Sequence, residues 1–468
     1  MNLQWALPRS LLLLLSLLLL TSCSDPVIPL AELPPEPSPL ESQPPAVSSN
    51  DMNLVTQEIE PGLTDTSIRI AVIADGPNEY LNDSEGLSVW QSVEAWAESL
   101  NRSTKLAGRE VIVERIDSAT FRHVEAVNAV CEGNFFALVG SHAVNDSDGL
   151  NLLQSPECLL PDFPATTFSL RRLYSGQTYQ SNPIAGVTSN AGWASYFGQS
   201  NPASIESVAT LLPELPSIVL AGERLLESAT AQGLKFSHSP IYEIETDFQS
   251  EAEALLQSES DSLVWVTSGR ELIRFLDTLQ DVNPEKSFGF ISCGQKCYTP
   301  DWVASAGESG QGVSVWLPHL PIEEAELNDE LLRYLFFMNL AHRSDSKPTA
   351  AGIAAWSAAL LFEEAVSRSV GTNSASYKPE NLSQEGVLAA AQSITFWDAR
   401  GLHGISNPSD AIPSSCFVIM TLDDGLWKRE FPPRPGELSC EDENLVELKA
   451  TTNLEEVEEE LELSLIHI

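Results

Sequence analysis

The chain has 468 residues and a formal net charge of −41, with 66 acidic residues against 25 lysines and arginines. This acidic excess argues against a nucleic-acid ligand, because phosphate recognition requires clustered lysines and arginines. From Ile68 to about Phe431 the composition is globular, and about 365 residues exceed what one hydrophobic core normally supports, so two lobes are expected.

The first residues are typical of an export signal. Arg9 precedes the apolar run Leu11–Leu20, which is shorter than the roughly 20 residues of a stable membrane span but fits the core of a secretory signal. The sequence Leu20-Thr21-Ser22-Cys23 resembles the lipobox of bacterial lipoproteins, in which the cysteine is acylated and becomes the first mature residue. We expect a signal peptide over residues 1–22 and a lipid anchor at Cys23. An ordinary cleaved signal with an incidental cysteine is the alternative.

A proline-rich segment follows the cysteine. It contains much glutamate and serine and almost no aromatic residues, so residues 23–64 are predicted to form an extended, disordered tether.

Strands and helices then alternate along the first part of the globular region. The patterns predict strands at 68–74, 110–116 and 137–140, a helix over 86–101, and a helix through Val124, Val127 and Cys131. Such alternation indicates parallel strands joined by right-handed crossovers.

A second α/β unit follows an irregular stretch. It is predicted from strands at 208–211, 263–266 and 288–292 and helices at 218–232 and 270–279. Helices are also predicted at 329–340, 350–370 and 384–393, followed by a hairpin of strands 416–422 and 426–430. The hairpin turn, Asp423-Asp424-Gly425, requires positive φ.

The C-terminal stretch is acidic. Eleven acidic residues face Lys449 alone between Glu437 and Glu462, which predicts a disordered tail over 441–468. The final six residues, 463–468, match the translation of a sequencing-library adapter and are expected to be an artefact.

Six cysteines remain when Cys23 is set aside. An even number in an exported chain suggests disulfides, although fifteen pairings are possible. Order along the chain favours the pairs Cys131–Cys158, Cys293–Cys297 and Cys416–Cys440. Cys293 and Cys297 could alternatively form half of a metal site, but no second ligand cluster with zinc spacing accompanies them. We expect no metal and no cofactor.

Motifs for covalent chemistry are not found in the sequence. It has no phosphate loop, dinucleotide fingerprint, zinc-protease motif or hydrolase nucleophile elbow. Glycosidases use a pair of acidic residues, but with so many acidic residues in the chain no particular pair indicates such an activity. The chain is therefore not expected to be an enzyme.

Several segments, taken in order, resemble type I periplasmic binding proteins, and specifically the substrate-binding lipoproteins of branched-chain amino acid type ABC transporters. The segments that carry this resemblance are Leu106–Arg109, Cys131 with 136–140, Cys158–Pro161, Lys347–Thr349, Ile394–Gly404 and Asn407-Pro408.

The resemblance implies a two-lobed type I fold in which each lobe is a parallel sheet flanked by helices. A hinge of three crossing segments would join the lobes, and ligand would be trapped by hinge closure. It places the first lobe at 65–185 plus 319–402 and the second at 186–318 plus 403–440.

The resemblance also implies ligand contacts at the carboxyl ends of strands. Hydroxyl and helix N-terminal N–H groups there suit a carboxylate. The candidates are Gly76, Pro77, Ser141, His142, Thr166 and Thr167 in the first lobe and Thr267, Ser268 and Tyr298 in the second.

Each polar candidate has a plainer interpretation. Ser141 and Ser268 could be helix N-caps, His142 could be exposed, and Tyr298 could be a surface aromatic residue beside a disulfide loop. Family members that bind aliphatic amino acids use a second-lobe acid against the ligand ammonium, and the resemblance does not identify which residue would fill that role here.

The expected function is capture of a small organic solute, such as an amino acid, amide, urea or short acid, for the permease of an ABC importer. The protein would be a monomer anchored by lipid on the outer face of the cytoplasmic membrane. A ligand-sensing or scaffold lipoprotein of the same fold is the main alternative, and a cell-wall enzyme is a third.

Overall fold

A computed structural model describes residues 60–77, 84–184, 186–244, 246–371 and 376–449. The predicted signal peptide, Cys23 and residues 24–59 of the predicted tether lie outside these residues. The predicted tail from residue 450 onward, with the suspected artefact, also lies outside them.

Strands and helices alternate through much of the described chain, as the sequence predicts. The strands are β1 (Ser67–Ala74), β2 (Glu110–Asp117), β3 (Ala137–Val139), β4 (Asp162–Phe163), β5 (Thr188–Asn190), β6 (Val208–Pro213), β7 (Phe236–His238), β8 (Ile241–Tyr242), β9 (Ser262–Trp265), β10 (Ile291–Cys293), β11 (Val313–Leu317), β12 (Cys416–Asp423), β13 (Leu426–Phe431), β14 (Ser439–Cys440) and β15 (Leu445–Glu447). The α-helices are α1 (Glu85–Asn101), α2 (His123–Glu132), α3 (Leu150–Leu153), α4 (Leu170–Leu173), α5 (Gly192–Ser200), α6 (Pro216–Ala231), α7 (Gln249–Gln257), α8 (Gly269–Val282), α9 (Pro300–Ala306), α10 (Asp329–His342), α11 (Ala350–Val370) and α12 (Gln384–Gln392).

The first lobe is built on a parallel sheet with the strand order β2-β1-β3-β4. The central strand β1 is buried on both faces, because Ile70 and Val72 join one hydrophobic core while Ala71 and Ile73 join another. Burial on both faces is typical of parallel sheets whose crossover helices cover each side.

Helix α11 forms the middle of the larger first-lobe core. It is long and apolar enough to cross a membrane, but 78% of its most apolar window is buried inside the protein. The helix begins where the Thr349 hydroxyl accepts a hydrogen bond from the Gly352 N–H at 3.1 Å, an N-cap that satisfies one free donor of the first turn. The long apolar sequence of this helix is therefore explained by its burial in the core of the first lobe.

The second lobe is built on a mixed sheet with the strand order β13-β12-β11-β10-β9-β6-β7. Strands β7, β6, β9, β10 and β11 are parallel, whereas β12 and β13 form an antiparallel hairpin at the edge. Asp424 and Gly425 turn this hairpin with φ of 53° and 72°, which confirms the predicted positive-φ turn. The predicted strand 288–292 is misplaced, since the residues that pair are Ile291–Cys293.

The chain crosses between the two sheets three times: between β4 and β6, after β11, and before β12. The crossings are joined to one another. His319 and His403 form a backbone bridge between the second and third, and the Asn190 amide donates to the Ser414 carbonyl at 2.8 Å between the first and third. The architecture is the two-lobed type I fold that the resemblance implied.

Two predicted disordered segments are partly ordered. Leu63, near the end of the predicted tether, is fully buried and bridges Ile68. In the predicted acidic tail, β15 pairs antiparallel with β5, and Leu448 is buried. Disorder is thus the wrong prediction for 60–64 and 441–449, because a few apolar residues pair and bury within segments whose average composition is polar.

The structure joins Cys131 to Cys158, Cys293 to Cys297 and Cys416 to Cys440, the pairs that chain order favours. The alternative of a metal half-site at Cys293 and Cys297 is therefore wrong. The described residues contain no group of three or more histidine, cysteine or acidic side chains that could hold a metal ion.

Candidate functional site

A cavity of about 180 Å³ lies between the two lobes. It has room for on the order of ten water molecules, or a solute with a similar number of non-hydrogen atoms. Its polar lining includes residues that follow the carboxyl ends of β3, β4 and β10, which is where ligands bind in open α/β sheets. The first lobe supplies Glu85, His142, Thr166, Thr167, Phe168 and Ala351, and the second supplies Ile218, Ala221, Gly222, Arg224, Leu225, Val266, Gly294, Gln295, Lys296 and Trp316. The crossing segments supply Asn182, Pro183, Ile184, Ser189, Asn190, Pro318, Pro413 and Ser414.

An ion pair joins the lobes at one side of this cavity. Glu85 begins α1 in the first lobe, where its charge also suits the helix N-terminus. Its carboxylate lies 2.7 Å from the Lys296 ammonium and 3.7 Å from His142 Nε2. Burial alone would raise the pKa of Glu85, but Lys296 and His142 outweigh it and lower the pKa to about 2. The carboxylate is therefore ionised and paired.

The Cys293–Cys297 disulfide holds the loop that carries Lys296. The loop runs from the end of β10 through a single 3-10 turn, Gln295–Cys297. Both cysteines are fully buried in the second-lobe core. The disulfide thus fixes the lysine in place opposite Glu85.

Arg224 is the second cationic group of the lining from the second lobe. It lies on α6, is 7% exposed, and donates from Nη2 to the Phe168 carbonyl of the first lobe at 2.5 Å. Burial lowers the pKa of its guanidinium, and the nearby Asp146 acts in the opposite direction. No carboxylate among the described residues forms an ion pair with it.

A buried network supports the first-lobe wall behind Thr166 and Phe168. The Thr167 hydroxyl donates to Asp146, which also accepts from the Phe168 N–H at 3.1 Å and lies 3.4 Å from Arg172. Arg172 in turn forms a two-point contact with Asp162 at 2.9 Å. These bonds fix the backbone of 166–168, so Thr166 and the Phe168 carbonyl face the cavity from a rigid segment.

Three of the nine sequence-predicted ligand residues line the cavity: His142, Thr166 and Thr167. The Nδ1 atom of His142 is hydrogen-bonded to the Thr166 hydroxyl, and His142 is buried, so the alternative that it is exposed is wrong. Thr167 points its hydroxyl to Asp146 instead of the cavity.

The other six candidates lie elsewhere. Gly76 and Pro77 do not line the cavity, and the Ser141 hydroxyl is buried behind it, 3.4 Å from the Ile73 N–H. Thr267 and Ser268 line a smaller neighbouring cavity of about 40 Å³, which shares Ile218 and Lys296 with the first. Tyr298 is buried and hydrogen-bonded to Glu323, so it is neither at the cavity nor on the surface.

Ser268 fits the alternative of a helix N-cap only in its position. It occupies the residue before α8, but its side chain makes no capping hydrogen bond there. Ser141 does not precede a helix in the structure, so the N-cap alternative is wrong for it.

Sequence reasoning missed Glu85, Arg224, Lys296 and Trp316. Lys296 could have been noticed because it lies between two closely spaced cysteines of an exported chain. Arg224 has no such signal, since it is one charged residue on an amphipathic helix.

Comparisons with known proteins agree with this geometry. The profile described as periplasmic binding protein matches residues 67–426. No curated protein matches the chain in sequence.

Solved structures share the fold at low sequence identity. A fatty acid ABC transporter substrate-binding protein from Thermomonospora curvata is 14% identical with a TM-score of 0.66, over 85% of this chain and 98% of that one. A leucine-binding protein from Thermotoga maritima is 14% identical with a TM-score of 0.62, over 78% of this chain and 97% of that one. An ABC transporter solute-binding protein from R. palustris, in complex with benzoate, is 13% identical with a TM-score of 0.62, over 80% and 98% of the two chains.

Proposed function

The chain belongs to the periplasmic binding protein family, and from this membership we propose that it captures a small organic solute in the interlobe cavity and delivers it to an ABC importer. The observation that carries the proposal is the cavity itself, whose lining comes from both lobes and from the crossing segments. A solute bound there contacts both lobes at once. It therefore favours the closed state, because a ligand shifts a conformational equilibrium only by its differential affinity.

The lobe boundaries of the proposal are those expected from the sequence: 65–185 plus 319–402, and 186–318 plus 403–440. Sheet membership supports them, since β1 to β4 and β6 to β13 fall in the first and second lobe respectively. The bound solute would contact both lobes and hold them in the closed state, which the permease would recognise.

The solute class we propose is broad: amino acids, amides, urea and short acids. An organic solute with an apolar body is supported by the similar solved structures, which are a fatty acid transporter binding protein, a leucine-binding protein and a protein in complex with benzoate. The apolar residues along the cavity, among them Ile184, Leu225 and Val266, agree with such a body.

We also propose that the protein is a monomer anchored through lipid on Cys23 at the outer face of the cytoplasmic membrane. The family supports an extracytoplasmic location, and the residues Leu20-Thr21-Ser22 before Cys23 support acylation. Two or more acyl chains give lasting membrane attachment, whereas one does not.

Native mass spectrometry of the gently purified full chain, followed by small-angle scattering with and without the co-purified solute, tests solute capture. We expect a bound small molecule and a smaller radius of gyration when it is present. A tightly bound solute that leaves the radius unchanged would contradict capture by closure.

A Cys23→Ala variant tests the anchor. We expect the variant to remain unprocessed or to be released into the medium, while the parent partitions into detergent. Unchanged maturation and partitioning of the variant would show that Cys23 is not acylated.

A further inference from the structure

We propose that Arg224 binds the carboxylate of the ligand, and that the ligand class is a monocarboxylic acid with an aliphatic or aromatic body and no ammonium group. This inference rests on the proposed function, because it concerns the ligand of the same cavity. It narrows the solute class from small organic solutes in general to one chemical type.

The first step is that Arg224 has donors to offer. A guanidinium carries five N–H groups in a fixed fork, which matches the two oxygens of a carboxylate. In the structure the side chain makes one hydrogen bond, from Nη2 to the Phe168 carbonyl, and forms no ion pair with a described carboxylate. Arg224 is 7% exposed and lines the cavity, so an anion in the cavity is the natural partner for its remaining donors.

The second step is that the other charges of the lining cancel. Glu85 and Lys296 are paired at 2.7 Å, and His142 lies beside the same carboxylate. Asp146, which lies near Arg224 behind the wall, accepts through Oδ2 from Thr167, the Phe168 N–H and Arg172, and it forms no ion pair with Arg224. Among the described charged residues of the lining, Arg224 is therefore the one that is not in an ion pair, and the nearby charge that acts on it is that of Asp146 behind the wall.

The third step is that the lining has no acid for an ammonium group. Glu85 is the acidic residue among the described lining residues, and Lys296 already neutralises it. Glu271 lines the neighbouring smaller cavity, where its carboxylate accepts from the Tyr242 hydroxyl at 2.6 Å. An amino-acid ammonium would thus lose its hydration in the cavity without gaining a counter-ion, which is costly.

The fourth step is that few other groups of the lining are available to bind polar groups on the rest of the ligand. The crossing-segment amides are used by the protein itself: the Asn182 amide oxygen accepts from the Ser414 N–H at 2.9 Å, and the Asn190 amide donates to the Ser414 carbonyl at 2.8 Å. Most of the remaining lining is apolar, including Ile184, Ile218 and Trp316. A ligand with one negative charge bound by Arg224 and an otherwise apolar structure is a monocarboxylic acid.

The test compares ligands that differ only in their charges. Hexanoate, hexanamide and norleucine share one carbon chain, and benzoate with benzamide forms an aromatic pair. Binding to the full chain in detergent is measured by calorimetry and by the fluorescence of the tryptophans, since Trp316 lines the cavity. We expect hexanoate or benzoate to bind about tenfold or more tightly than its amide, and hexanoate to bind more tightly than norleucine.

The variants are Arg224→Met, Arg224→Lys and the control Arg274→Met. Arg274 is a matched control because it also donates from Nη2 to a backbone carbonyl, that of Thr246 at 2.5 Å, but does not line the cavity. We expect Arg224→Met to lose the preference for the acid over the amide, Arg224→Lys to keep part of it, and Arg274→Met to keep all of it. Circular dichroism verifies that each variant is folded.

Three results would overturn the inference. They are equal affinity of the parent for acid and amide, a preference that survives in folded Arg224→Met, and no binding by any acid of the panel. The proposed function is judged separately by the compaction that the co-purified solute causes. A neutral or zwitterionic solute that compacts the protein would refute the carboxylate inference and leave solute capture intact.

Discussion

The Glu85 carboxylate and the Lys296 ammonium meet at 2.7 Å across the cleft, one supplied by each lobe. Other polar contacts cross the same boundary, among them Arg224 to the Phe168 carbonyl at 2.5 Å, Ser217 to Asn145 at 3.2 Å, and Lys347 to Asp301 at 2.8 Å. Contacts of this kind exist only while the lobes are together. They bias the equilibrium between open and closed states before any ligand binds, and a bias of this kind raises the apparent affinity for the ligand.

Replacement of Glu85 by glutamine should open the protein. The change removes the charge that pairs at 2.7 Å with the partly buried Lys296 ammonium of the other lobe. We expect a larger radius of gyration for the ligand-free protein by small-angle scattering, and roughly tenfold weaker binding of the co-purified solute.

The control for this change is Glu98→Gln on the same helix. Glu98 pairs with Arg102 one turn away, on the surface and within the first lobe. We expect this variant to scatter like the parent. Equal scattering of Glu85→Gln and the parent would mean that the ion pair does not hold the lobes together.

Mild acid should destabilise the protein through His319 in the second crossing. Burial lowers its pKa to about 4, while the Leu320 carbonyl favours the charged form and His403 opposes it. The unfolded chain takes up the proton first, near an ordinary pKa of 6.5, so stability is lost as pH falls from about 6.5 to about 4. The loss is on the order of 2–3 kcal/mol.

Thermal unfolding measured across this pH range checks the role of His319. A His319→Gln variant should show a flatter decline of melting temperature between pH 6.5 and 4 than the parent, because its amide does not titrate. The control His342→Gln changes a partly exposed histidine on α10 and should follow the parent. Parallel curves for the His319 variant and the parent would contradict the prediction.

The long, strongly patterned elements could be predicted from the sequence. The strand predicted at 68–74 is observed at Ser67–Ala74, and the helices predicted at 86–101 and 350–370 are observed at Glu85–Asn101 and Ala350–Val370. Their apolar residues recur with one period over several turns or pleats, and burial follows that period.

The stretch around the first crossing could not be predicted, because its elements are too short to show a period. Strand β4 has two residues and β5 has three, and each is held by pairing with a distant segment. The site was predicted in part for a related reason. His142 and Thr166 follow strands of the first sheet, whereas Arg224 lies on helix α6 and meets them only because the two lobes come together.

Removal of residues after Cys440 should destabilise the second lobe and the first crossing. Such a truncation deletes β15, which pairs with β5, and removes the Asn444 amide that donates to the Ser415 carbonyl at 2.8 Å. We expect a loss of roughly 1–3 kcal/mol in the free energy of unfolding, measured by chemical denaturation.

The control is a truncation after Lys449, which keeps β15 and Leu448. We expect its denaturation curve to overlay that of the full chain. If the truncation after Cys440 is as stable as this control, then the pairing of β15 with β5 contributes nothing.

Two neighbouring hydroxyl groups of the first lobe should differ in their effect on binding. Thr166 lines the cavity, and because a hydroxyl offers one donor and two acceptor positions, its hydrogen bond to His142 leaves capacity for a ligand. Ser141 lies behind the wall, with its oxygen facing the Ile73 N–H. Thr166→Val should weaken binding of the co-purified solute about fivefold, because it removes one neutral hydrogen bond of about 1 kcal/mol. Ser141→Ala should leave the affinity unchanged. Calorimetry on both variants distinguishes these outcomes. Equal losses in the two variants would indicate that the hydroxyls act through the stability of the wall, and a loss confined to Ser141→Ala would place the ligand on the other side of β3.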